Sequence, residues 1–130
     1  VGTKTTNRYF NYIYVRMGAH TLIHKRTEDD IWKNLFELPL VETEKDLSEE
    51  EFLACPQFHA LFAEGEVRMV RTLLRGVKHV LSHRVIYTNF YEVTLPDNSS
   101  SFSSYQRVAV EDLGRYAVPR LIHAFLEKYV

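Results

Sequence analysis

The feature that most constrains the fold is the run Val77–Val93, in which β-branched and aromatic residues dominate on both sides of Ser82 and His83. Apolar runs of this kind, separated by two residues, are typical of a β-hairpin. The sequence therefore predicts strands over Val77–Leu81 and Val85–Val93, joined by a tight turn.

The predicted turn has an unusual composition. Turn positions favour Gly, Asn, Asp and Pro, whereas here Leu81, Ser82 and His83 bring together an apolar group, a hydroxyl and an imidazole. Basic residues flank this trio: Arg75, Lys78 and Arg84. An apolar side chain can enter a base stack, a hydroxyl can bond a base edge and an imidazole N–H can hold a phosphate. We interpret the hairpin as a nucleic-acid contact; the alternative is a plain turn whose leucine packs on a neighbouring loop.

Composition narrows the class of protein. A chain of 130 residues with 45% hydrophobic and 25% charged residues is typical of one soluble domain. Because the net charge is −1, affinity for a polyanion must come from a local basic patch. The single cysteine, Cys55, excludes an internal disulfide and predicts a reducing compartment. No apolar run approaches the roughly 18 residues of a membrane span, and the start at Val1 favours a piece of a longer protein.

The first third of the chain divides into a basic part and an acidic part. After a loosely ordered lead-in over Val1–Asn7, the aromatic run Arg8–Met17 predicts a central strand covered on both faces. Gly18 breaks it, and His20–Arg26 is expected to complete a hairpin. The first 27 residues hold five Lys or Arg and no acid, which predicts a basic element, whereas Glu28–Glu51 holds ten acids.

Helices and loops follow from local signals. Ser48 with Glu51 predicts a capping box that opens a helix, and Pro56 is expected to split it, with a second piece over Gln57–Ala63. The Ser-rich stretch Leu95–Ser104 predicts a flexible loop. Before Pro39, the side chains Trp32, Leu35, Phe36 and Leu38 are expected to be buried. The segment Val67–Leu74 alternates in polarity, and Tyr105–Val110 predicts a short strand. A closing helix is expected from Pro119, with Leu121, Ile122, Phe125 and Leu126 on its apolar side. Together these elements predict an α+β domain with one mixed sheet between helices.

Candidate metal ligands are better explained in other ways. The acidic groups Glu28–Asp30 and Glu49–Glu51 have the ligand type that Mg²⁺ prefers, but a solvated loop and a charged helix N-terminus account for them. His79 and His83 are four residues apart, yet a strand and a turn separate them. His24 and His123 are expected at the edge of the core, and Cys55 as a buried small hydrophobe.

The order of motifs resembles the C-terminal domain of MutY-type adenine DNA glycosylases. The segments I-W-K-N-L-F-E-L-P, starting at Ile31, and H-V-L-S-H, starting at His79, match the two signature pieces of that domain and occur in the same order. With L-I-H-K-R and Y-A-V-P-R-L-I, the resemblance covers nearly the whole chain. It implies a Nudix-like (MutT-like) α+β fold, a mixed sheet packed between helices, and recognition of 8-oxoguanine opposite adenine in double-stranded DNA.

The resemblance also implies roles for single residues. Leu81, where relatives often carry Phe, would be a wedge beside the lesion, Ser82 would hydrogen-bond the oxidised guanine, and His83 would contact a neighbouring phosphate. Lys78, His79 and Arg84 complete the expected DNA- and lesion-binding set. The leucine keeps an apolar wedge but loses aromatic stacking, which is worth about 1–3 kcal/mol per base.

What the chain lacks limits its expected chemistry. The Nudix hydrolase framework R-E-x-x-E-E-x-G does not follow Pro39, which implies loss of the Mg²⁺ site and of diphosphate hydrolysis, so no catalytic residue, metal or cofactor is expected here. Adenine excision and an iron–sulfur cluster would belong to an N-terminal helix-hairpin-helix catalytic domain of the same protein, in the bacterial cytoplasm. Two alternatives stay open, a free-standing Nudix nucleotide hydrolase and a Nudix-like partner-binding module.

Overall fold

A computed structural model of the chain describes residues 5–130, and its larger sheet is built around strand β1, Thr6–Arg16. This sheet has the order β4-β1-β6-β5, with β4 at Leu40–Thr43, β5 at Met69–Val80 and β6 at Arg84–Thr94. β1 runs parallel to β6 and antiparallel to β4. The predicted central strand is therefore confirmed, but Thr6 and Asn7 belong to it rather than to a loose lead-in; residues 1–4 of that lead-in lie outside the described residues.

A second, three-stranded sheet replaces the predicted first hairpin. Its order is β3-β2-β7, with β2 at His20–Lys25, β3 at Phe36–Glu37 and β7 at Gln106–Ala109. Gly18, with φ of 60°, turns the chain after β1, but pairing with β1 stops at a single bridge between Met17 and His20. The expected single mixed sheet is wrong for a simple reason: β4 and β6 already occupy both edges of β1, so β2 pairs elsewhere.

The helices begin where the local signals predicted. Helix α1, Glu49–Ala54, carries the complete capping box: the Ser48 hydroxyl accepts from the Glu51 N–H at 3.1 Å, and the Glu51 carboxylate accepts from the Ser48 N–H at 2.9 Å. Pro56 splits the helix, but the second piece, α2, covers only Pro56–His59. Helix α3, Arg120–Tyr129, follows Pro119, and a 3₁₀ turn occupies Val110–Arg115. None of the helices within residues 5–130 is long and apolar enough to cross a membrane.

Alternating residues of β1 and β6 supply two cores, one on each face of the larger sheet. Under α3, Phe90 stacks on Phe125 with ring centroids 4.1 Å apart. Under α1 and α2, Tyr91 stacks on Phe52 at 4.6 Å. The buried Leu121, Ile122 and Phe125 confirm the predicted apolar side of α3, on which Leu126 is half-buried.

Two loop predictions are changed by contacts that are distant in sequence. Of the four residues expected to be buried before Pro39, Leu38 is buried, whereas Trp32, Leu35 and Phe36 are only half-buried. The Ser-rich loop is fixed rather than free, because Ser99, Ser100 and Ser101 all donate to the Glu66 carboxylate.

Candidate nucleic-acid interface

The hairpin between β5 and β6 has the tight turn that the sequence predicted. The Leu81 N–H donates to the Arg84 carbonyl at 2.8 Å, and Val80 lies opposite Val85, so Ser82 and His83 are the two turn residues. The His83 carbonyl also accepts from the Thr6 N–H at 3.0 Å. This bond ties the turn to the start of β1 and fixes its position against the sheet.

Strand β5 is longer than predicted and irregular in the middle. It absorbs the separate alternating segment and runs continuously from Met69, with register shifts between Thr72 and Val77. Gly76 adopts φ of 70°, and its N–H donates to the Asn89 side-chain oxygen at 2.8 Å. A positive φ favours glycine. The register shift at this position determines which of the following side chains face each side of the sheet.

The end of the hairpin has two different faces. We name the surface formed by Tyr9, Lys78, Val80 and Tyr87 the open face: Tyr9 stacks on Tyr87 with centroids 5.6 Å apart and Lys78 lies opposite Tyr87. The opposite side, the closed face, holds His79, which is half-buried with its ring edge against Trp32 at 5.9 Å. His79 therefore lies under the hairpin, away from the exposed turn.

Three of the expected DNA-binding residues are exposed at the turn: Ser82, His83 and Arg84. Lys78, one step back on β5, is exposed as well. Within residues 5–130, no carboxylate lies within salt-bridge distance of Lys78 or Arg84. The turn thus combines a hydroxyl, an imidazole and two uncompensated cations, which suits a phosphate backbone.

The apolar member of the predicted trio lies in a different environment. Leu81 is half-buried and packs against the core under α3. Its neighbour Val80 is 65% exposed. Sequence reasoning missed Val80. The signal that could have identified it is strand alternation: Val80 lies two residues after the charged Lys78 and so shares its face, whereas Val77 and His79 lie on the opposite face.

The basic residues near the N-terminus are not available in the same way. Arg26 donates to both oxygens of Glu37 at 3.0 and 3.1 Å and also to Asp30 at 2.8 Å. Arg8 binds Glu42 at 2.7 Å and Asp30 at 3.0 Å. We name these five residues, Arg8, Arg26, Asp30, Glu37 and Glu42, the ionic cluster. The predicted basic first element is therefore only partly available at the surface, because acids that follow in the sequence fold back onto these two arginines.

The same contacts shift the pKa values of Asp30 and Arg26. Burial by itself would raise the pKa of Asp30, but hydrogen bonds from Arg26 and Arg8 lower that pKa below its usual value. Burial likewise opposes the charge on Arg26, yet Asp30 and Glu37 raise its pKa above the ordinary value. Asp30 is thus held as a carboxylate by two guanidinium groups.

The other candidate ligands are dispersed. Within the described part of the chain, no three His, Cys, Asp or Glu side chains gather closely enough to hold a metal ion. His24 sits at the core edge, as expected, with its Nε2 atom 2.9 Å from Glu37. His123 differs from expectation, since its side chain is 64% exposed on α3 beside Glu127. Cys55 is half-buried against the core under α1 and α2.

Comparison with known proteins gives the family. A sequence model of the NUDIX domain matches residues 11–128, nearly the whole chain. The protein belongs to the Nudix family. This confirms the Nudix-like fold expected from the sequence, while no curated protein sequence matches the chain.

Solved structures share the fold of this Nudix domain at low sequence identity. The C-terminal domain of mouse MUTYH, solved in complex with human PCNA, has a TM-score of 0.69 and 15% identity, covering 94% of this chain and 86% of that one. A MutT protein from Methanosarcina mazei Go1 has a TM-score of 0.61 and 17% identity, covering 98% and 95%. A Nudix hydrolase from M. smegmatis, RenU, has a TM-score of 0.59 and 8% identity, covering 98% and 85%.

Proposed function

We propose that this Nudix domain recognises 8-oxoguanine opposite adenine in double-stranded DNA, as the C-terminal part of an adenine DNA glycosylase. The observation that carries the proposal is the β5–β6 turn, where Ser82, His83 and Arg84 are all exposed on a hairpin anchored to β1. The fold shared with the C-terminal domain of mouse MUTYH supports it.

Each turn residue has a distinct role in this proposal. The Ser82 hydroxyl bonds the edge of the oxidised guanine, while His83 and Arg84 hold neighbouring phosphates and set the register of the hairpin on the DNA. Phosphate contacts supply affinity, and the contact with the base supplies preference. The domain therefore works by differential binding: it holds the lesion strand so that base flipping, which costs a few kcal/mol, is favourable opposite 8-oxoguanine.

Excision of the adenine falls to another part of the protein in this proposal. A separate N-terminal catalytic domain, carrying the iron–sulfur cluster, would hydrolyse the glycosidic bond. The two parts would then contact the same DNA from the two strands of the mispair.

The test is DNA binding by this chain across a salt series, using matched duplexes with an 8-oxoguanine·adenine or a guanine·adenine pair. His83→Ala is expected to weaken binding to both duplexes equally, because one phosphate contact is lost. Arg84→Ala, which removes a charged phosphate contact, is expected to reduce the salt slope by about 0.9. Ser82→Ala is expected to remove about 0.5–1.5 kcal/mol of the preference for the lesion and leave the slope unchanged.

His123→Ala is the matched control, since it removes another exposed histidine, on α3 and away from the turn. The same affinity for both duplexes, or equal effects of the two histidine variants, would contradict the assignment of the site. Absence of any salt-dependent binding would instead favour a partner-binding module.

Nucleotide hydrolysis is a second candidate function, because the family match extends over residues 11–128 and a MutT protein shares the fold. It predicts Mg²⁺-dependent pyrophosphate release from an oxidised nucleoside triphosphate. Two of the candidate metal-binding carboxylates argue against it. Glu51 accepts a hydrogen bond in its capping box and Asp30 is bound in the ionic cluster, so neither is free for a metal. Measurable turnover that Ser82→Ala leaves unchanged would establish hydrolysis and remove the need for a DNA role of the turn.

A further inference from the structure

We propose that Val80, and not Leu81, is the side chain that this hairpin inserts into the base stack, and that the open face around it lies against the duplex. The inference rests on the proposed function and deepens it, because it moves the apolar contact from the turn itself to the strand beside it. The deciding observation is exposure: Val80 is 65% exposed, whereas Leu81 packs on the core.

The register explains why two adjacent apolar residues have opposite environments. Residues paired across a β-ladder point to the same face. Val80 pairs with Val85 and Lys78 pairs with Tyr87, so both face away from α3. His79 pairs with Ile86, which is fully buried under α3. Leu81 joins this closed face, and withdrawing it for insertion into DNA would strip apolar surface from the core.

The surroundings of Val80 fit a nucleic-acid partner. The Tyr9 and Tyr87 rings stack nearly parallel, with an interplanar angle of 17°, and both residues are half-buried. Lys78 stands beside them on the open face, and the described residues 5–130 place no carboxylate within salt-bridge distance of it. Arg84 has the phase of Ile86 on β6 and therefore belongs to the closed face. An apolar tip bordered by aromatic rings and an unpaired cation is complementary to a polyanion with stacked bases.

The experiment places 2-aminopurine next to 8-oxoguanine in a duplex and follows its fluorescence, which rises when the base unstacks, as the unaltered chain is added. Val80→Ser is expected to abolish most of this rise at saturating protein, while Val80→Leu keeps it. Because valine carries no charge, the salt slope of Val80→Ser should match that of the unaltered chain.

Leu81→Ala is the comparison variant. It is expected to lower the melting temperature and to shift the emission of Trp32, the only tryptophan, yet to keep the fluorescence rise of 2-aminopurine. The inference is overturned if Val80→Ser keeps the rise, or if folded Leu81→Ala loses it.

Failure of the inference and failure of the proposed function give different results. Binding that depends on His83 but shows no effect of Val80→Ser rejects only the inference. Failure of the unaltered chain to bind any duplex rejects both.

Discussion

The two basic regions of the chain look alike in sequence and differ in what their charges contact. Around β1 and β2, Arg8 and Arg26 are enclosed by three carboxylates of the ionic cluster, and Arg26 is only 2% exposed. At the end of the β5–β6 hairpin, Lys78 and Arg84 are exposed. The first set of cations stabilises the fold, and the second remains available to a ligand.

The difference teaches that local charge in a sequence is not a measure of charge at the surface. The acids that neutralise Arg26 lie four and eleven residues further along the chain, at Asp30 and Glu37. No comparable acid follows Arg84 until Glu92, which binds Arg71 and Arg16 at the far end of the sheet. A candidate polyanion site is therefore best chosen by asking which cations the fold leaves uncompensated.

The largest effect is expected from removing the centre of the ionic cluster. Glu37 is 1% exposed and accepts from Tyr12 Oη at 2.8 Å as well as from Arg26 and His24. Glu37→Ala leaves a buried guanidinium without its main partner, so we expect a loss of about 3–5 kcal/mol in the free energy of unfolding. Urea denaturation measures it.

Glu42→Ala is the matched control for that prediction. Glu42 binds Arg8 in the same cluster, but its side chain is 40% exposed, so its removal should cost about 0–1 kcal/mol. Equal losses for the two variants would show that burial does not determine how much each carboxylate of the ionic cluster contributes to stability.

The salt dependence of DNA binding should distinguish the exposed cations of the hairpin from the enclosed arginines of the ionic cluster. Replacing both Lys78 and Arg84 by glutamine should reduce the salt slope of DNA binding by about 1.8, because two phosphate contacts are lost at about 0.9 each. Arg8→Gln changes the net charge in the same direction but should leave the slope as it is, since Arg8 is occupied by Asp30 and Glu42. A fall in slope for Arg8→Gln similar to that of a single turn variant would refute the distinction between the regions.

Signals that act within a few residues were sufficient to predict part of this structure. The capping box at Ser48 and Glu51, the break at Pro56, the helix after Pro119 and the turn at Ser82 and His83 all depend on neighbours in sequence, and all are present. Such features are readable because the atoms that satisfy each other lie within one turn.

The features that were missed depend on distant partners. Gly18 turns the chain equally well whether β2 pairs with β1 or departs to another sheet, and only the occupied edges of β1 decide the outcome. The same holds for the candidate site, where the face presented by Val80 depends on register shifts and on the bond from Gly76 to Asn89. The position of the turn was predictable from the sequence, whereas the face on which each neighbouring side chain lies depends on the fold.

The smallest expected effect concerns Glu66, a carboxylate that no cation among residues 5–130 pairs with, which makes it a third case beside the two basic regions. Hydrogen bonds from Ser99, Ser101 and the Ser100 backbone lower the pKa of Glu66 from 4.5 to about 2. Because the pKa is lowered on folding, the stabilisation is complete above about pH 4.5 and is lost as the pH falls toward 2. Glu66→Gln should therefore flatten the decline of melting temperature across that window, whereas Glu64→Gln, a matched change at an exposed neighbour, should not. An unchanged decline in Glu66→Gln would mean that neutral hydroxyl and amide donors do not hold a surface carboxylate as firmly as the guanidinium groups of the ionic cluster hold theirs.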